Sequence, residues 1–271
     1  MVETMRAWTF TCRGTPSSVL ILRDDLPRPT PELLGAQDIL VKVSHVAVFQ
    51  GFAAIMNIAP HFNSKIWIPE SNFSGVIEAV GSDVDRLKVG DAVFGCPDPK
   101  KYLQRGTKYN GVMAEYAIVP ASQAVKKPDN ISFDAAAGLA GNGCTALQFC
   151  EKAGIKRGDR VLITAASGGL GSIAVQIVRT FVGDAGTIIG VCSAANAELV
   201  RSLGANEVRI CPCLRLPSLA SEARRAMEIC HWGLLLEGVP RIPQHTYTIN
   251  NLTSSAGDRL QVTSSNPRIS C

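Results

Sequence analysis

The 271-residue sequence contains no apolar run long enough to cross a bilayer as a helix, so a membrane-spanning role is not expected. Its first six residues, MVETMR, lack the apolar core of a secretory signal. Basic residues are not concentrated. The net charge is only +4, and Lys100-Lys101 and Lys126-Lys127 are isolated pairs that read as solvated loop charges. A nucleic-acid partner is therefore not expected. Paired cysteine spacing is also missing: nine cysteines form an odd, scattered set, which argues for reduced thiols and a cytoplasmic location. Cys211-Pro212-Cys213 is half of a metal-binding pattern, but no second pair stands at suitable spacing, and no metal ligands are assigned.

A substantial core is available, since 46% of the residues are hydrophobic and 18% charged. Its most informative segment runs from Arg160 to Gln176. Val161, Leu162 and Ile163 form a short apolar run, as expected for a parallel strand covered on both faces. A turn follows, made of Ala166, Ser167, Gly168, Gly169, Leu170 and Gly171. In the G-x-G-x-x-G template, Gly168 lets the backbone approach a pyrophosphate and Gly171 lets the next helix pack closely. Ala166 replaces the first glycine. Ile173, Ala174, Ile177 and Val178 then repeat at helical spacing and are expected to face the sheet. The amides at this helix start offer donors to an anion, and the helix dipole favours it.

A second apolar run, 187–191, follows one helix later and completes a βαβ unit. The residues after it decide between cofactors. An acid there would hold the ribose 2′-hydroxyl of NADH and repel a 2′-phosphate. This chain has Cys192, Ser193, Ala194, Ala195 and Asn196 instead. Ser193 and Asn196 can donate to a 2′-phosphate, so the expected cofactor is NADPH. Both residues can also cap the next helix, and Asn196 suits that role well.

Residues 1–130 are strand-rich, with runs at 39–44, 75–81 and 114–120. Gly90-Asp91 signals a tight turn between the apolar runs 84–89 and 92–95. Many short strands with glycine turns suggest a small barrel. Near Ile131 the character becomes helical: Ser132 is placed as an N-cap with Asp134 in the first turn, and a second helical stretch covers 145–150. A third parallel strand should begin within 205–208. Beyond it the strand–helix alternation stops. No lysine follows Lys156, and residues 211–271 hold five of the fifteen prolines. A helix over 215–233 and otherwise a disordered tail are expected there. The fold class expected is thus α/β plus β: a barrel domain over 1–130, a partial doubly wound (Rossmann) domain over 131–209, and an atypical segment over 210–271.

Taken in order, Val80-Gly-Ser-Asp-Val84, Lys88-Val-Gly-Asp-Ala-Val-Phe-Gly95, Ala114-Glu-Tyr116 with Val119-Pro120, the glycine turn and Ser202-Leu-Gly-Ala-Asn206 resemble the blocks of the medium-chain dehydrogenase/reductase superfamily. The resemblance covers residues 5 to 208. It implies a GroES-like barrel followed by the nucleotide domain. Within the superfamily the chain resembles the zinc-free quinone oxidoreductase and enoyl reductase branch. Phe49 stands where zinc members carry a cysteine ligand, and Glu70, Ser71 and Asn72 stand where they carry Gly-His-Glu. The four-cysteine structural lobe is also missing, as Cys96 is isolated in its region.

That resemblance implies an enzyme that transfers hydride from NADPH to a quinone, enone or enoyl thioester, with no obligatory protein acid or base. No catalytic residue is assigned. Thr145 matches a family threonine near the nicotinamide, or else caps a helix. The cofactor-binding residues expected are Thr145, Ala166, Ser167, Gly168, Gly169, Leu170, Gly171, Ser193 and Asn196. Two departures stand out. Phe49-Gln50-Gly51-Phe52 replaces the common Asn-Pro-x-Asp, so Phe49 and Phe52 form either an aromatic wall or core, and the usual burial of phenylalanine favours core. Tyr109 and Tyr116 are the nearest candidate acids, with Tyr116 read as structural. The second departure is the C-terminal break, which suggests a truncated or frame-shifted sequence. Family members dimerise, and the break leaves that open here. The partner expected is a small molecule. The alternatives are a trans-acting enoyl reductase of a polyketide pathway, and a non-catalytic truncated fragment or nucleotide-binding interaction module.

Overall fold

The computed structural model describes residues 3–58, 66–98 and 110–210, with the backbones of 225–227, 247–250 and 262–264. The chain divides into two compact units. One contains residues 1–140 and 246–266, and the other 141–245 and 267–271.

The first unit is antiparallel. Strands β1 (Thr4–Thr9) and β2 (Ile21–Pro27), joined through the short helix α1 (Pro16–Val19), form a two-stranded ribbon. The main sheet is organised on β3 (Asp38–Val48). One edge of β3 pairs with β4 (Asn72–Val80), which pairs with β5 (Ala92–Gly95). The first half of the other edge pairs with β6 (Tyr116–Pro120), Ile39 standing opposite Val119. The strand β7 (Ala124–Lys126) closes against β5. Ile39, Val41, Phe73, Ile77, Val93 and Val119 are buried together between these strands. Each such side chain contributes on the order of 1.5–3 kcal/mol by leaving water. Helix α2 (Gln50–Ile58) follows β3 directly.

The ribbon is tied to the rest of the unit by backbone bonds such as Trp8 N–H to the Met113 carbonyl and by ion pairs. Arg6 donates through Nε and Nη2 to Glu115 Oε1 at 3.0 and 2.9 Å, and its backbone amide donates to Oε2 at 2.9 Å. Tyr116 lies beneath the Arg28 guanidinium, 4.1 Å from its ring centroid, in keeping with a structural role.

Several local expectations change. Gly90 does take a left-handed turn, at φ +86°, and Asp91 closes it by accepting from the Lys88 amide at 2.9 Å. Only the run after the turn is a strand, however; residues 84–89 do not pair in the sheet. The Lys126-Lys127 pair is not simply solvated. Lys126 Nζ lies 3.0 Å from Asp91, and Lys127 Nζ donates to the Ile131 carbonyl at 2.7 Å. Lys100, Lys101 and Tyr109 lie outside the described residues.

The two helical stretches expected around 132–150 are one helix, α3 (Phe133–Lys152). Its glycines do not interrupt it, because intrahelical hydrogen bonds continue on both sides. Ser132 caps the start as expected, accepting from the Ala135 amide at 3.4 Å. A hydrogen bond from Ser132 is the main cause that holds the Asp134 carboxyl below its ordinary range.

The second unit contains a parallel sheet. Strand β8 (Arg160–Ile163) leads through α4 (Gly169–Val182) to β9 (Thr187–Cys192). From there α5 (Ala197–Ser202) leads to β10 (Glu207–Ile210). The fourth strand, β11 (Arg225–Met227), pairs in parallel with β8. The order β10-β9-β8-β11 is the 3-2-1-4 order of a doubly wound nucleotide fold.

Residues 225–227 are thus a strand and not part of the helix expected over 215–233, the rest of which lies outside the described residues. The free edge of β8 presents a row of unpaired backbone groups, and residues 225–227 satisfy them. Two further strands, β12 (Tyr247–Asn250) and β13 (Val262–Ser264), pair with each other, and β12 joins the second half of β3, with Tyr247 opposite Val48. A wholly disordered tail is therefore also corrected: the sheet edge left open by β6 supplies main-chain partners that no sequence pattern in the tail advertises.

Candidate cofactor site and a second cluster

The glycine turn sits at the carboxyl end of β8, before the first turn of α4. Ala165 turns the chain in a left-handed conformation, φ +49°, which is uncommon for a residue with a Cβ. Ala166 follows, fully buried, with its amide on the Val191 carbonyl at 2.9 Å. This bond ties the turn to β9. The alanine is tolerated because β9 provides Gly190 beside it: a Cβ at Gly190 would lie 3.2 Å from that of Ala166 and 2.5 Å from Val200.

Gly168 stands as the N-cap of α4 and accepts from the Ser172 amide at 2.8 Å. The amides of Gly169, Leu170 and Gly171 are the first of the helix, which have no acceptor within it. Gly171 is sterically required. A Cβ there would meet the Ala165 carbonyl oxygen at 2.1 Å. Behind the turn, Ile173, Ala174, Val175, Val178 and Val182 bury the sheet-facing side of α4. Ile177 is only partly buried; Val175 takes the core position expected of it.

The residues after β9 converge on this turn. Asn196 donates from Nδ2 to the Ser167 hydroxyl at 3.2 Å, across 29 residues of sequence. Asn196 occupies the cap position of α5, yet its side chain makes no capping bond. The capping role that suited it in the sequence is therefore replaced by a tertiary contact. Ser193 is exposed and makes no side-chain capping bond either. Neither residue is carboxylic, and Cys192, before them, is buried with its thiol pushed up by desolvation. A negative phosphate brought to this corner meets hydroxyl and amide groups and no carboxylate from 192–196.

Thr145 lies inside α3 rather than at a helix start, so its capping role is also withdrawn. Its hydroxyl donates to the Gly141 carbonyl, one turn back, at 2.8 Å. Its oxygen keeps lone pairs with which to accept from an amide.

The unit is braced by a side chain that the sequence reading did not single out. Arg179 on α4 donates to the carbonyls of Gly183, Gly186 and Gly204 and to Asn206 Oδ1. Asn206 Oδ1 also accepts from the Ile188 amide at 2.8 Å. One guanidinium thus joins the end of α4, the start of β9 and the loop before β10. An arginine near the end of a helix that precedes several glycines is a weak sequence signal.

In the first unit, Phe49 and Phe52 have different fates. Phe52 is core, 3% exposed, as expected. Phe49 is 49% exposed, which corrects the expectation of burial. Its amide donates to Oε2 of Glu70 at 3.1 Å. Glu70 is buried and its backbone is left-handed, φ +66°. Burial pushes its carboxyl well above the ordinary range. Ser71 is also buried, with Oγ 3.5 Å from Cys96 Sγ. Among the described residues, no group of three His, Cys, Asp or Glu side chains is placed to hold a metal ion, and Cys211 and Cys213 lie outside them.

Comparison with known proteins agrees with this architecture. Residues 35–129 match the alcohol dehydrogenase GroES-like domain family. The chain is 32% identical over 238 residues to the trans-enoyl reductase poxH of Penicillium oxalicum, covering 76% of this chain and 60% of that protein. It superposes on the quinone oxidoreductase from Coxiella burnetii with a TM-score of 0.63 at 29% identity, covering 76% of this chain and 62% of that one. Mycobacterial Rv1454c complexed with NADPH gives a TM-score of 0.62 at 28% identity, over 76% of this chain and 58% of that one. The chain thus spans about three fifths of the length of these proteins. Residues 35–129 thus carry an alcohol dehydrogenase GroES-like domain, and over about three quarters of its length the chain is similar to quinone oxidoreductases and trans-enoyl reductases of the medium-chain dehydrogenase/reductase superfamily.

Proposed function

We propose that the protein is an NADPH-dependent, zinc-independent reductase of quinones or α,β-unsaturated carbonyl compounds. The observation that carries this reading is the Asn196–Ser167 contact, which brings the end of β9 against the glycine turn with no carboxylate among 192–196. Residues 1–130 would supply the acceptor side, residues 131–209 the cofactor side, and residues 210–271 a separate segment. The cofactor residues fit the group. The amides of Gly169, Leu170 and Gly171 face a pyrophosphate, with the α4 dipole behind them. Ser193 and Asn196 would hold a 2′-phosphate, and Ser167 is oriented by Asn196. Thr145, its proton committed to Gly141, would be left to accept a hydrogen bond from the cofactor.

When bound, NADPH would supply the hydride for an electron-poor conjugated acceptor. The chain's contribution is to bind and orient. The proton that completes the reduction would come from solvent, in keeping with the lack of an assigned protein acid. A zinc-bound alkoxide is not expected, because Phe49 and Ser71 replace the thiolate and imidazole that would ligate the metal.

The test mixes the full chain with NADPH and a panel of quinones and enones and follows NADPH absorbance. Turnover with at least one acceptor is expected. Folded protein that oxidises no NADPH, and whose melting temperature does not rise with NADPH, would favour a non-catalytic nucleotide-fold module instead. A second reading is favoured by the similarity to poxH: a trans-acting enoyl reductase. Preference for an acyl-carrier-bound enoyl substrate over the free thioester would select it.

A further inference from the structure

Phe49 is an exposed aromatic residue whose backbone is held at both its amide and its carbonyl and whose ring lies over a glycine. Its amide is fixed by Glu70 at 3.1 Å, and its carbonyl accepts from the Phe52 amide at 2.9 Å. Its ring covers Gly51, where a Cβ would lie 2.2 Å from the ring edge. Phe52, three residues further on, is anchored in the core.

Glu70 pays twice for its place. A left-handed backbone is unfavourable for a residue with a Cβ, and a buried carboxyl loses its hydration. A glycine would avoid both costs. A residue that is locally unfavourable on two independent counts marks a position kept for something other than stability. Burial pushes this carboxyl well above its ordinary range, so holding it here works against its charged form. A single exposed phenylalanine is ordinary; one clamped by a strained, buried acid and given room by a glycine is preorganised.

We infer that the Phe49 ring, clamped by Glu70 and Gly51, is the stacking face for a flat, uncharged conjugated acceptor, a quinone ring in preference to an acyclic enone. This deepens the proposed reductase reading and rests on it for the choice of ligand class. Offset stacking between aromatic rings favours planar cyclic acceptors, and a preorganised ring loses little entropy on binding. Phe49 would contact the acceptor, and Glu70 would act as a positioning residue.

The test measures Kd by ligand-observed NMR on the full chain without NADPH. The probes are 2,3-dimethyl-1,4-naphthoquinone, whose blocked ring carbons do not alkylate thiols, and 4-methylpent-3-en-2-one. Phe49→Leu keeps apolar bulk and removes the ring. It should raise the naphthoquinone Kd by about three- to tenfold and leave the enone Kd within about twofold. Glu70→Gln keeps an acceptor for the Phe49 amide and should bind both probes like the wild type. Glu70→Gly should match or exceed the wild-type melting temperature, yet weaken naphthoquinone binding as Phe49→Leu does.

The inference is overturned if the wild type does not bind the naphthoquinone. It is equally overturned if Phe49→Leu or Glu70→Gly binds it as tightly as the wild type, or if both probes weaken equally. A wild type that binds the naphthoquinone but oxidises no NADPH with any acceptor sinks the reductase reading and leaves the stacking site standing.

Discussion

Asn196 and Ser167 meet at 3.2 Å although 29 residues separate them. The contact joins the glycine turn, proposed to receive a pyrophosphate, to the segment beyond the second strand, where nucleotide folds distinguish their cofactors. It also removes Asn196 from the capping duty that its position suggests.

Asn196→Asp should therefore reverse cofactor preference. A carboxylate at this corner repels a 2′-phosphate and suits a free ribose hydroxyl. NADPH affinity should fall by about tenfold or more, equivalent to ~1.4 kcal/mol, while NADH affinity holds or improves. Fluorescence titration with both nucleotides checks this. Equal loss for both would assign Asn196 to the turn's structure alone.

Gly171→Ala tests the cradle sterically. The added methyl would lie 2.1 Å from the Ala165 carbonyl oxygen, which is backbone and cannot rotate away. A loss of about 1–3 kcal/mol is expected from overpacking, together with weakened nucleotide binding. Urea denaturation and thermal shift with NADPH report the two effects separately.

Arg179→Lys should destabilise the second unit. Lysine keeps the charge but cannot reproduce a planar fork reaching Gly183, Gly186, Gly204 and Asn206. Carbonyls that lose their donor should cost about 1–3 kcal/mol in denaturant unfolding. A loss below a few tenths would show that water replaces the guanidinium.

Glu70 gives stability a definite pH dependence. Its folded pKa is raised above the ordinary 4.5 by burial. Below pH 4.5 the carboxyl is neutral in both states, and its contribution is fully present. As pH rises, the unfolded chain ionises first, so stability falls until the folded pKa is passed. The slope is at most about 1.4 kcal/mol per pH unit. Glu70→Gln cannot ionise, so the difference in stability between variant and wild type should widen in the variant's favour from pH 5 to pH 7. Unfolding free energies at three pH values decide it; parallel curves would show that the carboxyl is solvated in the folded protein.

Much of this architecture is legible in the linear chain, for local reasons. The runs 39–44, 75–81, 160–163 and 187–191 become strands because apolar β-branched residues flanked by glycine fit a covered pleated surface. Gly90 and Gly171 are readable because a left-handed turn and a close helix approach exclude a Cβ. Other features are illegible because their partners are remote. Nothing near Thr145 shows that its helix is already continuous. Nothing near Arg225 or Tyr247 shows that open edges of β8 and β3 await a strand. The split between Phe49 and Phe52 depends on Gly51 and Glu70, not on the residue type.

The sequence by itself determined the order of elements, the glycine cradle and the lack of an acid after the second strand, since these rest on backbone sterics and side-chain chemistry within a few residues. Only the tertiary structure decided that Asn196 serves the cradle instead of its own helix, that the tail contributes strands to both sheets, and that Phe49 stands exposed over a buried, strained Glu70. Those outcomes depend on hydrogen-bonding groups and space contributed from distant parts of the chain, which no local pattern encodes.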